Sequence, residues 1–189
     1  MALVSIHEDQ PDHCFATWRN VLFVLWRGPR SVRACQLLDR IATRFVRSLP
    51  VGVGVMSVIE AGAPPPPYDI RIEMARLQQH WNASIHAYAV ALTDSGFHAA
   101  AMLSAITAIN LMAPPHFPQY TFKSIEEASS WFAPRVPHIG GKALSRQALL
   151  EVLHGLRTGD EVAHAPMIGR GISCPNLTDR PNTDVDEKR

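Results

Sequence analysis

Val21-Leu-Phe-Val-Leu-Trp26, Val51-Gly-Val-Gly-Val-Met-Ser-Val-Ile59, Ser84-Ile-His-Ala-Tyr-Ala-Val-Ala-Leu92 and Tyr120-Thr-Phe122 are four short apolar runs, and longer runs with helical spacing separate them. A strand with no polar side chain over six residues suits a sheet covered by helices on both faces, where neither side meets water. Between the first two runs, Ser31 stands in N-cap position for a helix to about Leu49, with Ala34, Leu38, Ile41, Phe45 and Leu49 recurring on one side. Pro50 stops it. Asp69 to Trp81 predicts a second helix, capped by Asp69, with Ile72, Ala75 and Leu77 or Gln79 bracketing its apolar face. The turn Thr93-Asp94-Ser95-Gly96 leads into a third, Phe97 to about Met112, ended by Pro114-Pro115. After the fourth run, Ser124 and Glu127 form a capping box for a helix that turns Ile125, Ala128, Trp131 and Phe132 inward.

Strand and helix alternating in this way imply right-handed crossovers and a mainly parallel sheet, so the fold class is α/β, with four or five strands flanked by helices. Four segments follow. Residues 1–19 form an N-terminal extension with an edge strand at Ala2 to Ile6 and a polar turn around Asp9, Pro11 and Asp12. Residues 20–133 form the α/β domain. Residues 134–157 hold a Pro/Gly linker and a further amphipathic helix, Leu144 to Leu156. Residues 158–189 are too polar to bury and are expected to be disordered. Gly52 and Gly54 signal a neighbour that comes close to the backbone, and Gly62-Ala-Pro-Pro-Pro-Pro67 predicts a stiff, extended loop.

Eighteen basic and 17 acidic residues leave a net charge of +1, so no global field draws the chain to nucleic acid or an anionic surface. Cys14, Cys35 and Cys174 are odd in number and far apart, which fits neither a disulfide framework nor a metal site. The start of the chain lacks the pattern of a secretory signal, and the most apolar run, Phe97 to Ala113, is broken by His98, Ser104, Thr107 and Asn110 before it could span a membrane. A cytoplasmic protein without a transmembrane segment is the expectation.

No motif names a reaction. The nine histidines form no His-x-x-x-His or Glu-x-x-His pair; His7, His13 and Cys14 are the nearest approach to a ligand cluster. His86 and Tyr88 share a strand face by alternation, a core-edge pair rather than a catalytic one. Ser95 lacks the Gly-x of a nucleophile elbow, and neither Gly52-Val-Gly54 nor Gly140-Gly141-Lys142 continues into a phosphate-binding loop. No catalytic residue, metal or cofactor is assigned.

The closing stretch Tyr120-Thr-Phe-Lys-Ser-Ile-Glu-Glu-Ala-Ser-Ser-Trp131-Phe132, and the order of elements before it, resembles the STAS-like group, which includes the bacterial anti-sigma factor antagonists. The resemblance covers roughly residues 20–133 and implies a single α/β sandwich acting as a regulatory, protein-interaction module. The family's switch, Asp-Ser-Ser-Gly-Leu, is not matched: in Thr93-Asp94-Ser95-Gly96-Phe97 an aspartate stands in the place of the phosphorylated serine, and the turn follows the third strand of the alternation.

Arg33, Arg40, Arg44 and Arg47, spaced seven, four and three apart, fall on one face of the first helix, with Arg30 near it. Guanidinium forks suit carboxylate and phosphate, so this face is a candidate surface for a protein partner, with an anionic ligand or lipid headgroup as variants; nucleic acid is disfavoured because no aromatic residues interleave. A solvated outer helix face accounts for the same pattern. The Pro64 to Pro67 loop is a second candidate contact surface, and the alanine-rich third helix admits either tight internal packing or self-association. A reading from another class places a small-molecule or lipid pocket, with or without catalysis, at the C-terminal ends of the strands, near Glu60, Tyr68, Asp94, Ser95 and His98.

Overall fold

In the computed structural model, residues 3–49, 52–137 and 143–159 are described. Six strands form one sheet in the order of the chain: β1 (Ser5–Asp9), β2 (His13–Trp18), β3 (Val21–Trp26), β4 (Val53–Ile59), β5 (Ile85–Leu92) and β6 (Gln119–Phe122). β2 runs antiparallel to both β1 and β3, and β3 to β6 run parallel. Phe23, Met56, Ala89 and Tyr120 align across the parallel ladder, as do Val24, Ser57, Val90 and Thr121 beside them.

Three helices link the parallel strands: α1 (Val32–Arg47), α2 (Tyr68–Trp81) and α3 (Gly96–Met112). Because each crossover steps the same way along the sheet, one handedness puts all three on the same face. There Leu22, Val24, Trp26, Val53 and Val55 pack with Ala34, Cys35 and Leu38 of α1 and Leu77 and Trp81 of α2. The opposite face carries Phe23, Leu25, Met56, Val58 and the alanines 87, 89 and 91. It is covered by α4 (Ile125–Phe132) and α5 (Arg146–Thr158), chiefly through Phe132, Leu149, Leu153 and Leu156. Small residues let α4 settle close. A Cβ on Gly54 would lie 2.6 Å from both Phe132 Cζ and Val136 Cγ2, which no side chain there could tolerate without moving. Gly52 is occupied in the same sense by the His86 ring.

The hydroxyls expected to cap α1 and α4 do so: Ser31 Oγ accepts from Ala34 N at 3.1 Å and Ser124 Oγ from Glu127 N at 3.1 Å; Ser145 Oγ, outside those expectations, caps α5 by accepting from Ala148 N at 3.0 Å. Several expectations are corrected. Among the described residues the sheet has six strands, because the N-terminal extension holds a hairpin: β1 begins at Ser5 and runs on to Asp9, past the predicted end at Ile6, and His13–Trp18 is a fully buried strand whose His13 and Thr17 obscure its apolar run. The α2 cap is Pro67, and Asp69 lies in the first turn, where it still faces the positive helix end. The buried stripe of α1 is Ala34, Cys35, Leu38 and Ala42, rotated from the predicted one because the helix packs against α2 as well as the sheet, leaving Ile41 and Phe45 half-buried. His86 is exposed at a register shift between β4 and β5, and Trp131 is half-buried under the Arg135 guanidinium at 4.4 Å. The polar tail expected from residue 158 lies, from residue 160, outside the described residues, as do residues 138–142 of the linker.

Candidate functional site

Arg33, Arg40, Arg44 and Arg47 emerge on the exposed side of α1, and Arg40 and Arg44 border a shallow groove with His7, Leu37 and Phe45. Arg30 departs from this group. It precedes the helix in an extended link, so helical periodicity does not govern it, and it is 6% exposed beneath α2 and α3. The Pro64 to Pro67 loop is likewise drawn inward: Pro66 is buried, and Pro64 O accepts from Arg30 Nη1 at 3.2 Å.

The acidic and histidine side chains at the C-terminal strand ends tie the loops together. Arg157 of α5 donates to Glu60 through Nε at 2.6 Å and Nη2 at 2.8 Å, holding α5 to the end of β4. Asp94 accepts from Gly62 N at 3.1 Å and Ser95 N at 2.8 Å, with His98 Nδ1 at 3.3 Å. These backbone bonds, Gly62 first, hold the Asp94 carboxyl below its ordinary value. Tyr68 and Ser95 are exposed. The structure brings Asp94 and His98 together and engages Glu60 with Arg157 and with Thr93, whose Oγ1 donates to Glu60 Oε2 at 3.4 Å. None of the five lines the interior cavity that lies nearby.

Two features stand out instead. The first is the outer face of α3. This helix has no charged residue besides His98, whose charge depends on protonation, and only Met102, Ala105 and Ile109 are buried. Phe97 is 88% exposed, Leu111 78% and Leu103 43%. The polar groups among them turn back on the helix: Ser104 Oγ donates to Ala100 O at 3.0 Å and Thr107 Oγ1 to Leu103 O at 2.9 Å. Their hydroxyls are thereby satisfied without solvent or partner, which leaves the face weakly polar. Of the two packing readings of this alanine-rich helix, tight internal packing describes one side only.

The second is an interior space between α2, α3 and the sheet: two narrow cavities of about 30 Å³ each, sharing Trp26, Met74, Gln78, Tyr88 and Ile109 in their walls. Its polar rim includes Arg30, Ser57, Asn110 and Gln119. Sequence periodicity could not find it, since its members come from seven elements and from the links before α1, α2 and β6.

The histidines and cysteines offer less. His7 Nε2 meets Thr17 Oγ1 at 2.8 Å and His13 Nδ1 meets Asp12 at 2.8 Å; among the described residues no group of three could hold a metal ion. Cys14 and Cys35 are buried thiols, pushed up by burial to about 12 and about 11, so they stay protonated and inert. No described helix is long and apolar enough to cross a membrane. Compared with known proteins, the chain matches no family model, no curated protein and no solved structure.

Proposed function

We propose that the chain is a non-enzymatic, cytoplasmic regulatory module of STAS-like type that docks a protein partner on the outer face of α3. The observation that carries this is the uncharged helix surface bearing Phe97, Leu103 and Leu111. Exposed apolar area costs about 25 cal/mol per Å² relative to burial, so a partner surface gains by covering it. An exposed arginine stripe has no such deficit, since solvated guanidinium groups are at rest in water and surface ion pairs contribute about 0–1 kcal/mol. The Arg33 to Arg47 face therefore ranks second. A sheet whose strands follow chain order, closed by the Ser124-capped α4, supports the STAS-like reading.

Affinity capture with three forms of the chain tests it: wild type, Leu103→Glu/Leu111→Glu, and Arg40→Glu/Arg44→Glu. A protein lost with the first variant and kept with the second is the expected result. A partner set unchanged by Leu103→Glu/Leu111→Glu, in a variant with native circular dichroism, overturns the reading, as does a partner lost only with the arginine pair. Flotation with lipid vesicles in place of protein capture would reassign the face to a membrane surface.

A further inference from the structure

Among the described residues, Arg30 is a buried cation without a counter-ion. Its Cζ lies 5.1 Å from the centroid of the Trp26 ring, and Nη1 donates to Pro64 O at 3.2 Å and approaches Met102 Sδ at 3.9 Å. Among the described residues Nε has no partner and no carboxylate lines the cavity that Arg30 borders. Burial lowers the guanidinium to about 10, which leaves it charged at neutral pH. A charge in this position is costly unless an anion joins it, because the aromatic face and a single carbonyl replace only part of its hydration.

Gln119 forms another part of the same wall. Its Nε2 donates to Asn110 Oδ1 at 3.4 Å, an oxygen that also accepts from Gln78 Nε2 at 2.9 Å, and its Oε1 is buried without a partner. The residues that carry one orphaned cationic donor and one orphaned acceptor therefore border one small space. An ordinary buried network would match them to each other or to neighbours.

We propose that this cavity binds a compact oxyanion that also carries a hydrogen-bond donor, the class that includes hydrogenphosphate and small hydroxycarboxylates. An anionic oxygen takes the Arg30 Nε hydrogen, and the ligand's hydroxyl donates to Gln119 Oε1. The cavity of about 30 Å³ has room for about two waters, and a second of equal size shares five of its lining residues. Binding is reversible and involves no bond making. The site lies on the inner side of α3, opposite the exposed Phe97, Leu103 and Leu111, and stands whether or not that outer face docks a partner.

The test uses anions that differ in the donor alone. At pH 7, hydrogenphosphate and sulfate have the same shape, but only the first carries a hydroxyl; glycolate and acetate form a second such pair. Thermal unfolding and isothermal titration of the full chain are run in each anion against chloride at matched ionic strength. Saturable binding of phosphate or glycolate is expected, at least tenfold tighter than sulfate or acetate, and whichever of the two binds names the source. Arg30→Met weakens it at least tenfold while the anion-free protein melts no lower than wild type, since an apolar chain replaces an unpaired charge. Gln119→Leu removes the preference for the donor-bearing member of each pair. Equal response to all four anions and chloride overturns the proposal and assigns the space to water; so does Arg30→Met binding phosphate as wild type does. If Arg30→Met does not fold, Arg30 is structural, and the wild-type contrast between phosphate and sulfate with Gln119→Leu still decides.

Discussion

Placing a methyl group on Gly54 should strain the seat of α4 on the sheet, and the strain should be relieved by trimming the ring above it. The added Cβ would stand 2.6 Å from Phe132 Cζ and Val136 Cγ2 and 3.1 Å from Phe132 Cε2, about 1 Å inside ordinary contact. Phe132 is completely buried, so the ring cannot swing into solvent. Gly54→Ala should therefore cost about 1–3 kcal/mol, the usual range for overpacking. Phe132→Leu alone removes ring volume and should cost about 1 kcal/mol. Independent effects would add, yet the leucine opens the space the methyl needs. The double variant should then fall short of the sum by about 1 kcal/mol, and Val136→Ala should give part of the same relief. Urea unfolding followed by circular dichroism measures wild type and each variant, with equal m-values as the check that the unfolded states compare. Additivity within about 0.5 kcal/mol would refute the placement of α4 over β4.

Ser124→Ala removes the bond to Glu127 N and should lower stability by about 1 kcal/mol, or about 2–4 °C in Tm, by thermal unfolding. In a Cys174→Ser background, native protein at pH 7 should react slowly with Ellman's reagent, and both Cys14 and Cys35 should react once urea is added, because burial keeps their thiols protonated. Rapid native reaction would show one of them to be reachable. Asp94 should titrate below its ordinary 3.8 in a carbon-detected NMR titration, since Gly62 N and Ser95 N donate to the carboxylate. Its folded value lies below the unfolded one, so the contribution is complete above pH 3.8 and is lost as pH falls through the lower folded value; Asp94→Asn should abolish that segment of the stability profile.

The four parallel strands were legible because uninterrupted runs such as Val21 to Trp26 admit few other readings, and the caps at Ser31 and Ser124 because a hydroxyl three residues from a free N–H is a local matter. Strand β2 was hidden by His13 and Thr17, polar residues whose burial depends on neighbours from other strands. Arg30 is near the arginines of α1 in sequence, but it sits before the helix begins, where nearness along the chain does not put a side chain on the helix face. The cavity it borders draws on residues 26 to 119, a separation no local pattern records. In α3 the apolar residues surround the axis, so nothing in their order told the covered side from the open one.

Because the strands lie in the sheet in the order they are made, each parallel pair can close as soon as its second strand leaves the ribosome, with loops no longer than one helical crossover. The two faces mature on different schedules. The helices α1 to α3 arrive between strands and shield their side at once, but the side bearing Met56, Val58 and the β5 alanines waits for α4 and α5, at the far end of the described chain. A nascent chain stalled near residue 122 would present a finished sheet with one bare apolar surface. Such a species invites chaperone capture or aggregation, and synthesis through Thr158 is what ends the exposure.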